Sequence, residues 1–472
     1  MKKIVLVMNL IGLTTATVHA QVSLPPSIPQ FQEFNNPGGR VATYQPNGAT
    51  STAGNAFFTS LGTNGRTCFS CHRPEAAWAI TPALATAIFQ ASQGNDPLFA
   101  PVDGANCPDA PGVSSTNLAQ KAAAYSQLLQ KGNIRVALPI PTGAEYVARV
   151  LRDPYGCNTG PQHAGVLSMY RRVIHSTNLT RNATLDTATG TIAPQGVIMW
   201  DGREPSLESQ FVSATLGHAQ AASAPTTAQV AQGVNFELGL FTAQNFSNAA
   251  GSLTAALALG GPANLSKLGL PSVPTISTPL AFPQYTAWTL FTNTPAQRSI
   301  NRGQLIFNLR TFTINGVAGF NDAGGLAIPG TNTCSTCHNL LAVGADVIPG
   351  GRHLGIGDNS SAVLPPTQDQ PLFSFLCPTG SIPFFSNPVV VNGVTYDELQ
   401  TTDPGMGLIS GKCKDLGKFK VPRLNGLAAR APYFHNGNAA SLADVVDFYD
   451  RRFGIGLSAQ DKQDLINFLN SL

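Results

Sequence analysis

Cys68-Phe69-Ser70-Cys71-His72 and Cys334-Ser335-Thr336-Cys337-His338 decide how this chain is read. Each is a C-x-x-C-H, the spacing of covalent c-type haem attachment. The two thiols form thioethers to the porphyrin edge, and the adjoining imidazole reaches the iron as proximal ligand. A single C-x-x-C reads equally as half a zinc site or a redox pair. Two copies, each followed at once by His, point to two covalently bound haems c. The expected fold is therefore mainly α: two c-type cytochrome domains with long irregular loops and insertions.

Outward from the motifs, the chain divides into segments. Met1-Lys2-Lys3, an apolar run from Ile4 to Leu13 and Val18-His19-Ala20 read as a signal peptide over 1–20, cleaved after Ala20. The run is too short to span a bilayer. The mature protein is expected in the periplasm and not as an integral membrane protein. Residues 21–55 read as an N-terminal arm and 56–259 as a first cytochrome c domain, with an insertion at about 94–165. Pro271, Pro274, Pro279 and Pro283 mark a linker over 260–286, and 287–472 reads as the second domain. Helices are predicted over 83–91, 118–131, 146–152, 166–174, 207–216 and 296–309, and after Ser441 and Ser458, which stand as N-caps.

Charged residues are only 11% of the 472, with a net charge of +3, and no basic run suggests nucleic acid. Four of the eight cysteines lie outside the haem motifs: Cys107, Cys157, Cys377 and Cys413. In an oxidising compartment they are expected to form disulfides. Three pairings are open; the simplest keeps each bond within its own half, Cys107–Cys157 and Cys377–Cys413.

Three further stretches carry a family resemblance. Phe419-Lys420-Val421-Pro422-Arg423-Leu424-Asn425-Gly426-Leu427 and Ala431-Pro432-Tyr433-Phe434-His435-Asn436-Gly437 stand in the second half. Trp200-Asp201-Gly202-Arg203-Glu204-Pro205-Ser206-Leu207-Glu208-Ser209-Gln210 stands in the first. Together with the haem motifs they resemble the signatures of bacterial dihaem cytochrome c peroxidases and MauG. The resemblance does not cover about 94–165, nor much of 340–410.

The resemblance implies roles for particular residues. Where the peroxidases carry a conditional His ligand to the first iron, this chain has Ile88, so that iron is expected to be open to peroxide. Where they carry a Met ligand to the second iron, it has Tyr449, as MauG does; Met406 is the rival ligand. Gln210 matches a distal Gln, and the distal Glu position is Gln220. His218, two residues earlier, is the candidate acid/base, with Glu237 as a fallback. Trp200 matches a Trp that relays electrons between the haems, and His435 a structural residue near the second haem. A calcium ion between the haems is implied through backbone carbonyls near Arg430 and Pro432 plus Asn178 or Asn182. His163, His175 and His353 read as ordinary surface or core histidines.

The function implied is a peroxidase-type oxidoreductase. Hydrogen peroxide is activated at the N-terminal haem, and a small donor protein, a cytochrome c or cupredoxin, feeds electrons through the C-terminal haem. The alternatives are MauG-like or oxygenase-like oxidation of a protein or organic substrate, as in rubber-oxygenase relatives, and a non-enzymatic dihaem electron carrier.

Overall fold

Local signals start the helices. Ser441 accepts from the Asp444 amide while its own amide donates to Asp444 Oδ2 at 2.8 Å, a closed box that begins the helix Leu442–Phe453. Ser458 with Asp461 begins Ala459–Leu469, and Thr294 with Gln297 begins Pro295–Leu309. These helices share a core of Ile300, Phe307, Leu442, Val446, Leu465 and Phe468. Gly303 lets two of them touch, since a Cβ there would lie 2.0 Å from the Asp464 carbonyl oxygen. In the first half the helices are Pro82–Ser92, Leu118–Ala124, Ser126–Lys131, Leu207–Gly217 and Thr227–Leu238. The structure, a computed structural model, describes residues 24–186, 191–194, 198–268, 280–289, 293–322 and 331–472. The stretch read as a signal peptide and residues 269–279 of the expected linker lie outside them.

The expectation of a mainly helical chain is overturned. The fold is mixed, 31% helix and 19% strand, with antiparallel sheets. Phe31–Asn36 and Gly39–Tyr44 pair as a hairpin and join Phe241–Ser247 and Gly251–Ser252 in a four-stranded sheet. A second four-stranded sheet orders Asn387–Val391, Val394–Thr401, Leu372–Pro378 and Val147–Arg152. Its last pairing joins the two loop-rich blocks of the sequence: Phe373 stands opposite Val150, and Phe375 opposite Ala148. Asn133–Pro139 pairs with Val166–Arg172.

Two predicted helices are thus strands. Val147–Arg152 alternates exposed and half-buried positions along its length, the period of a strand with one wet face. Val166–Arg172 is buried at almost every position, so no alternation marks it. Val136, Leu167, Met169, Phe373, Phe375 and Leu399 form the core beneath these strands. Cys107 is bonded to Cys157, and Cys377 to Cys413. Among the described residues no helix is long and apolar enough to cross a membrane.

Candidate active site

The two C-x-x-C-H stretches fold alike. Cys68–Ser70 and Cys334–Thr336 are single 3-10 turns. The Thr67 amide donates to Ser70 Oγ at 3.1 Å and the Thr333 amide to Thr336 Oγ1 at 2.9 Å. The His72 amide then donates to the Cys68 carbonyl, and the His338 amide to the Cys334 carbonyl, both at 3.0 Å. His72 Nδ1 lies 3.0 Å from the Trp78 carbonyl oxygen and His338 Nδ1 2.7 Å from that of Gly344. A carbonyl only accepts, so each Nδ1 carries the proton and each Nε2 keeps its lone pair. Trp78 is itself locked, fully buried, with Nε1 donating to Thr43 Oγ1 at 2.9 Å.

Each turn faces a cavity. The first, about 1520 Å³ including its mouth, is lined by Cys68, Cys71 and His72. The second, about 1760 Å³, is lined by Cys334, Cys337 and His338. Both are walled mainly by apolar side chains. They share residues 172–175, Trp200, Lys420, Pro422 and Arg423 as a common wall.

The residues fit haem c. The four motif thiols are not in disulfides, and burial pushes them up, those of Cys334 and Cys337 to about 12. Burial presses His72 and His338 down to about 4, which leaves both imidazoles neutral, as metal ligation requires. Haem also carries carboxylates. The guanidiniums of Arg172 and Arg423 in the wall, each at most 5% exposed and, among the described residues, in no ion pair, would suit such groups.

The helix Leu207–Gly217 brings Gln210 and, at its C-cap, His218 into the first cavity. His218 is tied down from three sides. Its carbonyl accepts from Asn64 at 2.8 Å, and its amide donates to the Ala214 carbonyl. Its Nδ1 makes a short hydrogen bond to Asp103 Oδ2, and Asp103 Oδ1 receives Arg66. Arg66 also gathers the carbonyls of Pro97, Leu98 and Ala100, so it fixes the turn that delivers Asp103. Burial, Arg66 and Arg203 press the His218 imidazole down to about 4. Asp103 pulls the other way, but Arg66 spends its charge, so His218 is neutral near pH 7 with Nε2 available. Ile88 does not line this cavity but belongs to an apolar cluster against which its wall residues Cys71, Ile134 and Val173 pack, and Gln220 is exposed, turned onto Asn64.

Other placements follow from the wall. Trp200 touches both cavities and donates from Nε1 to the Arg172 carbonyl at 2.8 Å. Tyr449, on Leu442–Phe453, lines the second cavity; burial raises its phenol, and its hydroxyl has no hydrogen-bond partner among the described residues. Met406 does not line that cavity; it packs against Gly351. His435 stacks on Phe419 with ring centroids 3.8 Å apart and lines the second cavity.

The calcium candidates already have hydrogen-bond partners. Both ends of the Asn178 amide are held by the Thr242 backbone at 2.8 Å. Asn182 Oδ1 accepts from Lys420 at 2.6 Å, and the Arg430 carbonyl from Arg172 at 2.9 Å. Pro432 lines the second cavity beside them. These donors do not fit a metal ion.

Sequence reasoning passed over Asp103 and His175 and ranked Glu237 low. His175 is 1% exposed, lines both cavities and accepts from Arg430 at Nδ1. Glu237 lines the first cavity with Oε2 unpartnered, and burial pushes it up to about 8. Gly233 sets its depth, because the helix Thr227–Leu238 lies directly against Phe211 there. His353 is a structural residue, its Nε2 2.5 Å from Asp358. His163 is half-buried beside the Cys107–Cys157 bond.

No protein-family model matches the chain. Cytochrome-c peroxidase IdrP1 of Pseudomonas sp. (strain SCT) is 44% identical over 81 residues, 15% of this chain and 21% of that protein. Over part of its length the chain resembles cytochrome-c peroxidases. IdrP2 of Denitromonas iodatirespirans, also a cytochrome-c peroxidase, is 32% identical over 151 residues, 30% of this chain and 36% of the relative. The chain thus matches about a fifth to a third of these curated relatives' length.

Proposed function

We propose that the chain is a periplasmic dihaem peroxidase-type oxidoreductase that reduces hydrogen peroxide at the first cavity. The observation that carries this reading is the asymmetry of two cavities built on one turn. Among the described residues, the first cavity alone is lined by an imidazole held by a carboxylate, His218 on Asp103, together with an amide, Gln210. Haem c at each motif would supply an iron able to pass electrons to peroxide. His72 and His338 would hold those irons through Nε2. His218 Nε2 takes the proton from one peroxide oxygen and returns it to the other, and the Gln210 amide orients the molecule. Trp200, with its ring in both cavities, bridges the path for electrons. A small redox protein is the proposed donor.

A second reading rests on Tyr449. A phenol oxygen without a partner in the second cavity is suited to ligate iron and to stabilise its higher oxidation states. That favours oxidation of a protein or organic substrate over simple peroxide reduction. Changing Tyr449 to Phe should then alter the low-spin ferric signal of one haem; an unchanged signal removes the ligand claim.

Electron paramagnetic resonance of the resting ferric protein tests the main reading. One high-spin and one low-spin haem, with a rapid optical change on adding peroxide, is the expected result. Two low-spin haems indifferent to peroxide would make the protein an electron carrier. Turnover with reduced cytochrome c separates peroxide reduction from substrate oxidation.

A further inference from the structure

The wall between the cavities holds more positive charge than it balances. Arg172 donates to the carbonyls of Lys131 at 2.7 Å and Arg430 at 2.9 Å. Arg423 donates to the His175 carbonyl at 2.9 Å. Arg430 donates to His175 Nδ1 at 2.9 Å and to the Arg423 carbonyl at 3.2 Å. Every one of these acceptors is neutral. Among the described residues none of the three guanidiniums pairs with a carboxylate within salt-bridge distance. Burial lowers all three, and Arg430 further lowers Arg172 and Arg423 by repulsion, both to about 9. The nearest carboxylate acting on Arg423 is Glu237, which burial keeps protonated near neutral pH.

Several donors in this cluster are also idle. Arg423 Nε, Arg430 Nε and His175 Nε2 are buried with no hydrogen-bond partner. A guanidinium can only donate, so His175 Nδ1 must accept from Arg430, and the His175 proton sits on the idle Nε2. Three cations and a spare N–H in a buried wall are unfavourable unless an anion arrives. A calcium ion would add to that cost. Calcium also needs oxygen ligands, and the candidate oxygens here already accept from Arg172, Lys420 and Arg423.

We propose that Arg172, Arg423 and Arg430 form a built-in cation cluster that binds haem carboxylates from both cavities and takes the place of a metal ion between them. The proposal rests on the reading that each cavity holds a haem. A pyridine haemochrome count tests that reading separately: fewer than two haems per chain sinks it without touching the question of calcium.

The test begins with the purified holoprotein. Elemental analysis should find no stoichiometric calcium, and dialysis against EGTA should leave the ferric spectrum of both haems unchanged. One calcium per chain, or a spectrum moved by EGTA, overturns the proposal. Arg430→Gln should then lower the reduction potential of the haem in the second cavity, which Arg430 lines, because losing a cation beside its carboxylates favours the ferric state. Arg430→Lys should stay close to the parent. Potentials unmoved in Arg430→Gln also overturn it. Should Arg430→Gln fail to fold, the calcium content of the parent protein and its response to EGTA still decide.

Discussion

Replacing Arg171 by Met should destabilise the protein by about 3–5 kcal/mol, read as a lowered midpoint in urea. Arg171 is 2% exposed and joins two buried carboxylates. Its Nη1 lies 2.5 Å from Asp201 Oδ2, its Nε 2.6 Å from Asp403 Oδ2 and its Nη2 2.8 Å from Asp403 Oδ1. Asp201 keeps a second cation, Arg203. Asp403 keeps only neutral donors, such as the Gly405 amide at 2.9 Å. The loss therefore falls on Asp403, left charged and buried. Adding Asp403→Asn should recover part of it, because the stranded charge is removed.

The pH dependence follows from Asp201. Burial works to raise its pKa, but Arg171 and Arg203 outweigh burial and hold the carboxyl below its ordinary value. A carboxyl lowered in the folded state contributes stability above its unfolded pKa, near 4, and that stability is lost as pH falls through the folded value. The gap between the parent and Arg171→Met should thus be full near neutral pH and narrow in acid.

His218→Ala should slow the reaction with peroxide by about 10²–10⁴-fold, with two haems still attached. Stopped-flow absorbance measures it. The imidazole is the only neutral nitrogen base among the first cavity's lining residues that does not belong to the proximal motif or the shared wall. Its base form is present above about 4, so the parent rate should be flat near neutral pH and fall as the pH approaches about 4. A rate unchanged in His218→Ala would assign proton transfer elsewhere, with Glu237 next in line. Asp103→Asn should have a smaller effect, because it weakens the hold on Nδ1 and leaves Nε2 in place.

What could be read from the chain beforehand was local. Ser441, Ser458 and the apolar positions after them mark helices because a cap and its partner lie three residues apart. The haem motifs and the stretch from Trp200 to Gln210 stand out for the same reason. The strands did not. Leu372–Pro378 is buried at nearly every position and pairs edge to edge with Val147–Arg152 and Val394–Thr401, and no short window contains that information. Asp103 was hidden likewise, since it reaches His218 only through a turn that Arg66 assembles. His175 lies beside two arginines with no motif, and its importance comes from Arg430, 255 positions away.

The sheet that joins Val147–Arg152 to Leu372–Pro378 also sets an order of assembly. Arg152 Nε finds its acceptor at the Gln370 carbonyl, 218 positions further on. During synthesis Val147–Arg152 is therefore made long before the strand it pairs with. Long-range pairings of this kind close late. The first cavity likewise draws Lys420, Pro422 and Arg423 from the second half, so its wall is finished only when that half has folded. A chain truncated before Leu372 would lack both the partner strand and that part of the wall.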